Sequence, residues 1–300
     1  MSSDEIRIGT LAGKGPHTAD YIRSILPHGF ESFQIQFGET LGDTDLSELA
    51  RELADILPES GAIISCLGIY GNPLGTMPLD EETREGWRRL IKHARDFGTD
   101  LVTGFTGRVS GESIPHSMRR YKEVFSDLNK LAKDSGVRIA FENCPKRGTW
   151  DHGEWNLAHN PPAWERLFDE LPSDNIGLEW EPCHQMCQLI DPIPQIDIWG
   201  EKFFHIHGKD ANIRKDLLQR YGIHGERPFF EHRHPGLGDC DWAHIISELR
   251  RVQYRGTIDI EGWHDRVYSG YLEMSGQVHA LNYLKSCRPA YVQNPEENWA

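Results

Sequence analysis

Short apolar segments alternate along the chain with longer segments that carry apolar residues on one face only. Eight short segments are rich in Ile, Val, Leu and Phe and are too brief for helices, so we predict strands there. They comprise residues 6–12, 32–38, 62–68, 101–105, 137–142, 175–181, 203–207 and 257–261. In contrast, Leu46, Leu49, Leu53 and Ile56 recur at helical spacing. We predict helices at residues 18–26, 45–57, 79–97, 118–134, 161–171, 193–199, 242–252 and 268–284.

Each predicted strand is followed by a predicted helical segment, in units of about 30 residues. This rhythm predicts one α/β domain, a (β/α)8 TIM barrel, over residues 1–287, with a polar surface tail at residues 288–300. A doubly wound sheet is the alternative, and it usually has a glycine-rich first turn. Residues 9–15 read Gly-Thr-Leu-Ala-Gly-Lys-Gly, which matches neither GxGxxG nor the P-loop spacing.

Two connections are much longer than the rest, and both follow predicted strands. Residues 144–160 contain Trp150, His152, Trp155 and His159, and residues 208–241 contain further aromatic and histidine residues. In a barrel, the connections that leave the C-terminal strand ends form the catalytic face, and long loops are usually functional. We therefore predict that both border the site. The alternative is a contact with another copy of the chain or with a partner subunit.

The charge balance limits the classes of partner. Lys and Arg number 32 against 46 Asp and Glu, a formal net charge of −14, which argues against a nucleic-acid partner. No window approaches the roughly 18 apolar residues of a membrane helix. The first seven residues lack an apolar block, so we expect no secretory signal and a cytoplasmic location. Six scattered cysteines do not form a disulfide scaffold, and we interpret them as reduced thiols.

Four consecutive predicted strands end in side chains that can bind a metal: Glu142, Glu181, His207 and Glu261. Strands buried on both faces are normally almost entirely apolar, and barrel closure brings their ends around one mouth. Three carboxylates and one imidazole suit one divalent ion, with Mn²⁺ preferred and Mg²⁺, Co²⁺ or Zn²⁺ as alternatives. Glu179, His205 and Asp259 form a deeper ring two residues earlier, on the same face of each strand. The first set is nearer the mouth, so we assign the metal to it.

Four segments around these residues resemble a known family: Phe141-Glu-Asn-Cys144, Gly177-Leu-Glu-Trp-Glu-Pro-Cys-His184, His205-Ile-His-Gly-Lys-Asp210 and Ile258-Asp-Ile-Glu261. They are similar to the xylose isomerase-like TIM-barrel superfamily, and in particular to sugar phosphate isomerase/epimerase-type proteins. This group includes ketose 3-epimerases and inosose dehydratases. The resemblance implies that Glu142, Glu181, His207 and Glu261 bind one divalent metal. The family usually has Asp where this chain has Glu181, followed three residues later by His, here His184.

Four further residues are predicted to contact the substrate. His184, Lys209 and Asp210 lie close in sequence to the predicted metal ligands, and Arg233 resembles a family arginine that precedes Gly-x-Gly and a tryptophan. The tryptophans near the mouth are candidates for a wall on which a sugar stacks. They are Trp150, Trp155, Trp180 and Trp263.

These residue types suggest a reaction. A metal that holds a ketone and a neighbouring hydroxyl lowers the cost of removing the C–H proton between them. Glu142 and Glu261 are the predicted catalytic pair: one carboxylate removes the proton to give an enediolate, and the other returns it. We therefore predict a metal-dependent isomerase or epimerase that acts on a small sugar or keto-sugar.

Three other functions remain open at this point. If a leaving group is expelled instead of a proton returned, the same residues make a lyase, such as an inosose-type dehydratase or an enzyme that cleaves 3-keto-glycosides by elimination. A DNA-repair endonuclease would need more histidine ligands and a basic groove, which the acidic composition opposes. A non-catalytic partner subunit would not need the complete set of strand-end residues.

Overall fold

A computed structural model describes residues 6–289 of the protein, where eight parallel strands close into one barrel. They are β1 (Arg7–Ala12), β2 (Ser32–Phe37), β3 (Ile63–Ile69), β4 (Leu101–Gly104), β5 (Arg138–Glu142), β6 (Ile176–Trp180), β7 (Phe203–Gly208) and β10 (Thr257–Ile260). Neighbours in the barrel follow the order of the chain, and β10 closes the ring between β7 and β1. The predicted (β/α)8 fold is confirmed, and the doubly wound alternative is wrong.

Ten α-helices of the described residues surround the barrel, and eight of them lie at the positions that the apolar spacing indicates. They are α1 (Thr18–Ile25), α2 (Leu46–Ile56), α3 (Pro78–His93), α4 (Ile114–Asp134), α5 (Pro161–Glu170), α6 (Pro182–Met186), α7 (Ile193–Trp199), α8 (Lys215–Tyr221), α9 (Trp242–Arg251) and α10 (Glu273–Cys287). Helix α4 begins four residues before the predicted Met118, because Oγ of Ser113 caps it by accepting from the backbone N–H of His116. Among the helices of residues 6–289, none combines the length and apolar character that a membrane span requires.

The long connection after β7 is more ordered than the sequence indicates. It folds into an antiparallel ribbon of β8 (Asp210–Ile213) and β9 (Phe230–Arg233), with α8 between the two strands. Each ribbon strand has only four residues and mixes polar with apolar side chains, so it is too short for an alternation of polar and apolar residues to be recognised in the sequence. This ribbon lies beside α6, a short helix that the sequence analysis also missed.

Aromatic packing between the barrel and its helices fixes the strand that carries Glu142. Trp87 of α3 packs edge-to-face on Phe125 of α4, with ring centroids 5.7 Å apart. Phe125 packs in the same way on Phe141 of β5, at 4.8 Å. Such aromatic pairs contribute about 0.5–1.5 kcal/mol beyond the area they bury. Glu142, which follows Phe141 in β5, is therefore positioned by a rigid aromatic layer on the outer side of the strand.

A buried ion pair closes the opposite end of the barrel. Glu31 accepts from the backbone N–H of Ile8 at 2.9 Å and pairs with Arg288 at 2.7 Å. Although burial opposes the charge of Glu31, its bonds to Arg288 and to the Ile8 N–H lower the pKa of the carboxyl. Arg288 is the first residue of the predicted surface tail, and residues 290–300 of that tail lie outside the described part of the chain.

A buried arginine holds the long connection after β5 in place. Arg108 is inaccessible to solvent. Its Nε donates to the carbonyl of Glu112 at 2.7 Å, and its Nη1 and Nη2 donate to the carbonyls of Thr149 and Trp150 at 2.7 and 3.1 Å. Because the buried guanidinium needs acceptors and finds them in these carbonyls, Arg108 ties the connection to the segment after β4. That connection carries Trp155 to the mouth of the barrel.

Replacing this arginine tests the assignment. We expect Arg108→Ala to lower the free energy of unfolding by about 3 kcal/mol, because three hydrogen bonds made by a buried, charged side chain are lost. Arg119 is a matched control, since its side chain is 91% exposed and pairs only with a helical neighbour. Arg119→Ala should change the stability by less than about 0.5 kcal/mol in the same chemical denaturation experiment. Equal effects of the two substitutions would contradict the role given to Arg108.

Candidate active site

The C-terminal ends of β5, β6, β7 and β10 bring four buried side chains to one point: Glu142, Glu181, His207 and Glu261. One potential ligand atom of each lies within 4.8 Å of the others. Nδ1 of His207 is 3.5 Å from Oε1 of Glu142, and 3.4 Å from one carboxylate oxygen each of Glu181 and Glu261. The structure thus brings together the four residues that the sequence analysis selected as metal ligands.

The atoms that face one another in this group lack hydrogen-bond partners. Within residues 6–289, this is true of Nδ1 of His207 and of Oε2 of both Glu181 and Glu261. Burial opposes a charge on His207, yet the surrounding carboxylates, Glu179 first among them, raise its pKa well above the usual value. The arrangement therefore requires a positive charge between the carboxylates. A proton on His207 can supply it, and the donor set of three oxygens and one nitrogen also fits a divalent cation.

In the deeper ring of Glu179, His205 and Asp259, the oxygens of both carboxylates already have hydrogen-bond partners. Oε1 of Glu179 accepts from Nε2 of Gln34 at 2.7 Å, and Oε2 accepts from the Tyr70 hydroxyl at 2.8 Å. Nε2 of His205 lies 2.8 Å from Asp259. The hydroxyls of Ser32 and Ser65 donate to the same carboxylate. These bonds occupy the ring and orient the residues above it, so it is a poorer metal site than the Glu142 group.

Two buried cationic groups border the remaining carboxylate oxygens. Nζ of Lys209 lies 3.3 Å from Glu181 and 3.2 Å from Glu261, and Nε2 of His184 lies 3.2 Å from Glu181. Burial disfavours the charge on Lys209, but Glu181 and Glu261 raise its pKa well above the usual value. Burial likewise opposes ionisation of Glu181, but His184 and Lys209 hold its pKa far below the usual range. Burial opposes ionisation of Glu261 as well, but Lys209 holds its pKa well below the usual value, so Glu181 and Glu261 are both ionised at neutral pH.

A cavity of about 460 Å³ opens above these residues. Its polar wall includes Glu142, His184, His207, Lys209 and Glu261, and its aromatic wall includes Phe37, Tyr70, Phe105, Trp155 and Trp263. Nε1 of Trp263 donates to Glu261 at 2.6 Å, so this ring is fixed beside a proposed catalytic carboxylate. Of the four tryptophans considered for sugar stacking, Trp155 and Trp263 line the cavity. Trp180 instead stacks on Phe203 inside the protein, and Trp150 packs against the core from the outer side.

The sequence profile of the xylose isomerase-like TIM barrel family matches residues 22–287. The chain belongs to this family. Among curated relatives, the rhizopine catabolism protein MocC of Rhizobium meliloti is 24% identical over 281 residues, which cover 83% of this chain and 80% of MocC. The uncharacterised protein MJ1311 of Methanocaldococcus jannaschii is 21% identical over 188 residues. That match covers 60% of this chain and 56% of MJ1311.

Solved structures of xylose isomerase-like barrels agree with this fold. The 3-keto-D-glucoside 4-epimerase YcjR from E. coli superimposes with a TM-score of 0.69 at 15% sequence identity, covering 94% of this chain and 100% of YcjR. AsbF from Bacillus anthracis, described as the probable 3-DHS dehydratase of petrobactin synthesis, gives a TM-score of 0.68 at 16% identity. That match covers 92% of this chain and 98% of AsbF. At these identities the likeness concerns the fold alone.

Two of the predicted substrate-binding residues of this xylose isomerase-like barrel lie away from the cavity. Asp210 is fully buried, and its carboxylate accepts backbone N–H groups of Ala211, Gly236 and Cys240. Arg233 pairs with Asp265 at 2.9 Å and donates to Asn212 at 3.1 Å. Both side chains hold the base of the β8–β9 ribbon. Only His184 and Lys209 of the four predicted substrate residues face the cavity.

Gln34 and Tyr70 are residues of the site that the sequence analysis did not select. Besides holding Glu179, Gln34 uses Oε1 to accept from Nε2 of His207 at 2.8 Å, which leaves Nδ1 directed at the carboxylates. Burial, followed by the charge of Glu179, raises the pKa of Tyr70 well above its usual value, so its hydroxyl remains a donor. A signal for Gln34 was present, because Ser32, Gln34 and Gln36 alternate with apolar residues in a strand that a barrel buries on both faces.

Substitution of Asp210 distinguishes an anchor from a substrate ligand. We expect Asp210→Ala to lower the free energy of unfolding by about 3 kcal/mol, because three backbone N–H groups lose their acceptor. It should also speed the cleavage after Arg220, which is exposed between the ribbon strands, in limited trypsin digestion. Asp216→Ala, at an exposed position of α8, serves as the control. Unchanged digestion combined with weaker sugar binding would instead favour a direct role for Asp210 in binding.

Proposed function

We propose that the protein is a divalent-metal-dependent isomerase or epimerase that acts on a sugar or keto-sugar by moving a proton next to a carbonyl group. The observation that carries this proposal is the buried meeting of Glu142, Glu181, His207 and Glu261, in which facing atoms of the last three lack hydrogen-bond partners among the described residues. Its position at the C-terminal strand ends, under an open cavity, is where barrel enzymes carry out their chemistry.

The same four residues are the proposed metal ligands, with Mn²⁺ as the preferred ion. When bound, the metal would supply positive charge that stabilises a negatively charged oxygen developing next to the reacting carbon. His207 suits this role because Gln34 and Glu179 hold its other ring nitrogen, at 2.8 and 3.2 Å.

Glu142 and Glu261 are the proposed proton-transfer residues. They belong to β5 and β10, and two barrel strands separate these strands, so the carboxylates approach the cavity from the two ends of an arc. One carboxylate removes the proton beside the substrate carbonyl, and the other returns it to the opposite face of the enediolate. Lys209, 3.2 Å from Glu261, provides a buried proton donor for a substrate oxygen. His184, which also lines the cavity, is the second candidate for holding such an oxygen.

A lyase is the second candidate, and the aromatic wall favours it. Phe105, Trp155 and Trp263 border a cavity of about 460 Å³, which leaves room for a substituent beyond one sugar ring. After the same proton removal, expulsion of that substituent would give elimination in place of epimerisation. Solved structures with this fold include both an epimerase and a protein described as a probable dehydratase, so the fold accommodates either outcome.

The proposed metal ligands can be tested without knowledge of the substrate. We expect the chelator-treated protein to bind one Mn²⁺ per chain in equilibrium dialysis. Glu181→Gln should weaken that binding at least about tenfold, because it removes an anionic donor. Glu231→Gln, on the ribbon and outside the cluster, is the control and should bind like the wild type. Equal Mn²⁺ binding by all three proteins would refute this ligand set.

The proposed reaction can be tested by hydrogen exchange. In D2O with Mn²⁺, we expect the wild-type protein to introduce deuterium at the carbon next to the carbonyl of a ketose or a 3-keto-glucoside. Glu142→Gln and Glu261→Gln should slow this incorporation at least about 100-fold, while circular dichroism shows an intact fold. Product analysis then separates the candidates, because an epimerase returns a sugar isomer and a lyase releases the substituent. Substantial incorporation by both variants would contradict the two-carboxylate scheme.

A further inference from the structure

Two cysteines and a histidine meet beside the candidate active site. Cys183 lies in α6, Cys187 directly follows that helix, and His232 belongs to β9 of the ribbon. Sγ of Cys183 is 3.1 Å from Nδ1 of His232. One potential ligand atom from each of the three residues lies within 4.8 Å of the others. The proposed proton transfer uses none of these side chains.

The spacing of this group suits a small tetrahedral ion. Cys183 and Cys187 are four residues apart on one helical turn, so their side chains lie on the same face. Around a tetrahedral Zn²⁺ with bonds of about 2.0–2.3 Å, donor atoms are about 3.3–3.8 Å apart. Sγ of Cys183 and Nδ1 of His232, 3.1 Å apart, are already close to this separation, and all three ligand atoms lie within 4.8 Å of one another.

The chemistry of this group differs from that of the carboxylate cluster, which consists of Glu142, Glu181, His207 and Glu261. Cys183 and Cys187 are buried and pack with Ala211, Ile213 and Phe230, so the surroundings are apolar. Two sulfur donors and one imidazole select soft or borderline ions, whereas three carboxylates with one imidazole accept hard ions such as Mn²⁺. Thiolates buried in apolar surroundings need a cation to compensate their charge.

We propose that Cys183, Cys187 and His232 form a second metal site, which binds Zn²⁺ through two thiolates and one imidazole. Binding releases the two thiol protons to solvent, and three protein ligands leave one tetrahedral position for water. The ion ties the β8–β9 ribbon to α6, because the histidine belongs to one and the cysteines to the other.

This connection reaches the wall of the active-site cavity. His232 lines the cavity, and its ring lies 5.9 Å from the ring of His184. His184 belongs to α6, the helix that also contains Cys183. His184 in turn contacts Glu181. A metal at the sulfur site therefore fixes the position of the ribbon relative to the carboxylate cluster, independently of which reaction the cluster catalyses.

Cobalt distinguishes the two sites by spectroscopy, without an activity assay. We expect the chelator-treated protein to bind two Co²⁺ per chain and to show thiolate-to-cobalt charge-transfer absorption in the near ultraviolet. Cys183→Ser and Cys187→Ser should each abolish this absorption and retain one Co²⁺. Cys240→Ser, at another buried cysteine, is the control and should leave absorption and stoichiometry unchanged. Binding of a single Co²⁺ without the absorption would overturn the proposal.

Cys144 provides the critical comparison, because it lies close to Glu142 and His184, beside the carboxylate cluster. If Cys144→Ser removes the absorption while Cys183→Ser keeps it, the sulfur ligand belongs to the first site and the proposal is wrong. The absorption should instead survive Cys144→Ser. It should also survive Glu181→Gln, which weakens the first site, so failure of the proposed sugar chemistry and failure of the second site are distinguishable.

A measurement on the wild-type protein covers the case in which a cysteine variant does not fold. We expect one equivalent of Zn²⁺ to slow alkylation of Cys183 and Cys187 by iodoacetamide at least about tenfold, as mapped by mass spectrometry. Alkylation of Cys240 should stay the same, which controls for a general change in stability. Equal rates with and without Zn²⁺, or a Cys183–Cys187 disulfide recovered from the reduced, Zn²⁺-treated protein, would contradict the assignment.

Discussion

Three carboxylates and one imidazole nitrogen are buried together at the mouth of the barrel, and the charge of this group constrains everything around it. Removing ionised carboxylates from water costs several kcal/mol each unless cations and hydrogen bonds compensate. Lys209 and His184 supply cationic contacts from one side, and Gln34 and Glu179 hold His207 from below. The remaining demand for positive charge at the centre is the physical basis of the proposed metal site.

The need to compensate buried polar and charged groups also determines the arrangement of the residues below and above the cluster. In the deeper ring of Glu179, His205 and Asp259, both carboxylates are held by hydrogen bonds, so the ring supports the residues above it. The connections above it are also anchored through buried polar groups. Arg108 holds the connection after β5 through backbone carbonyls, and Asp210 holds the ribbon through backbone N–H groups. A rigid barrel thus carries a mouth whose walls are fixed by satisfied polar contacts.

The sequence was sufficient for the eight barrel strands and for the position of Glu142, Glu181, His207 and Glu261 because both follow from local patterns. Strands buried on both faces are apolar, so a charged residue at a strand end stands out, and barrel closure determines where such ends meet. The same reasoning failed for Asp210, which follows Lys209 directly but whose carboxylate serves the ribbon. Arg233 and Tyr70 depend on contacts between distant parts of the chain, which spacing along the sequence does not encode, whereas Gln34 left a signal in the polar alternation of β2.

The four members of the cluster come from β5, β6, β7 and β10, which are adjacent in the barrel, so one half of the circumference holds all of them. The other half, β1 to β4, contributes Phe37, Tyr70 and Phe105 to the cavity through strand ends and the connections after them. The proposed reacting groups and part of the wall that selects the substrate therefore lie in different halves of the barrel. Changes at Phe37 and Phe105 can alter which molecule fits while Gln34 and Tyr70 keep the proposed reacting groups in register, so the architecture permits new specificities to evolve on an unchanged site.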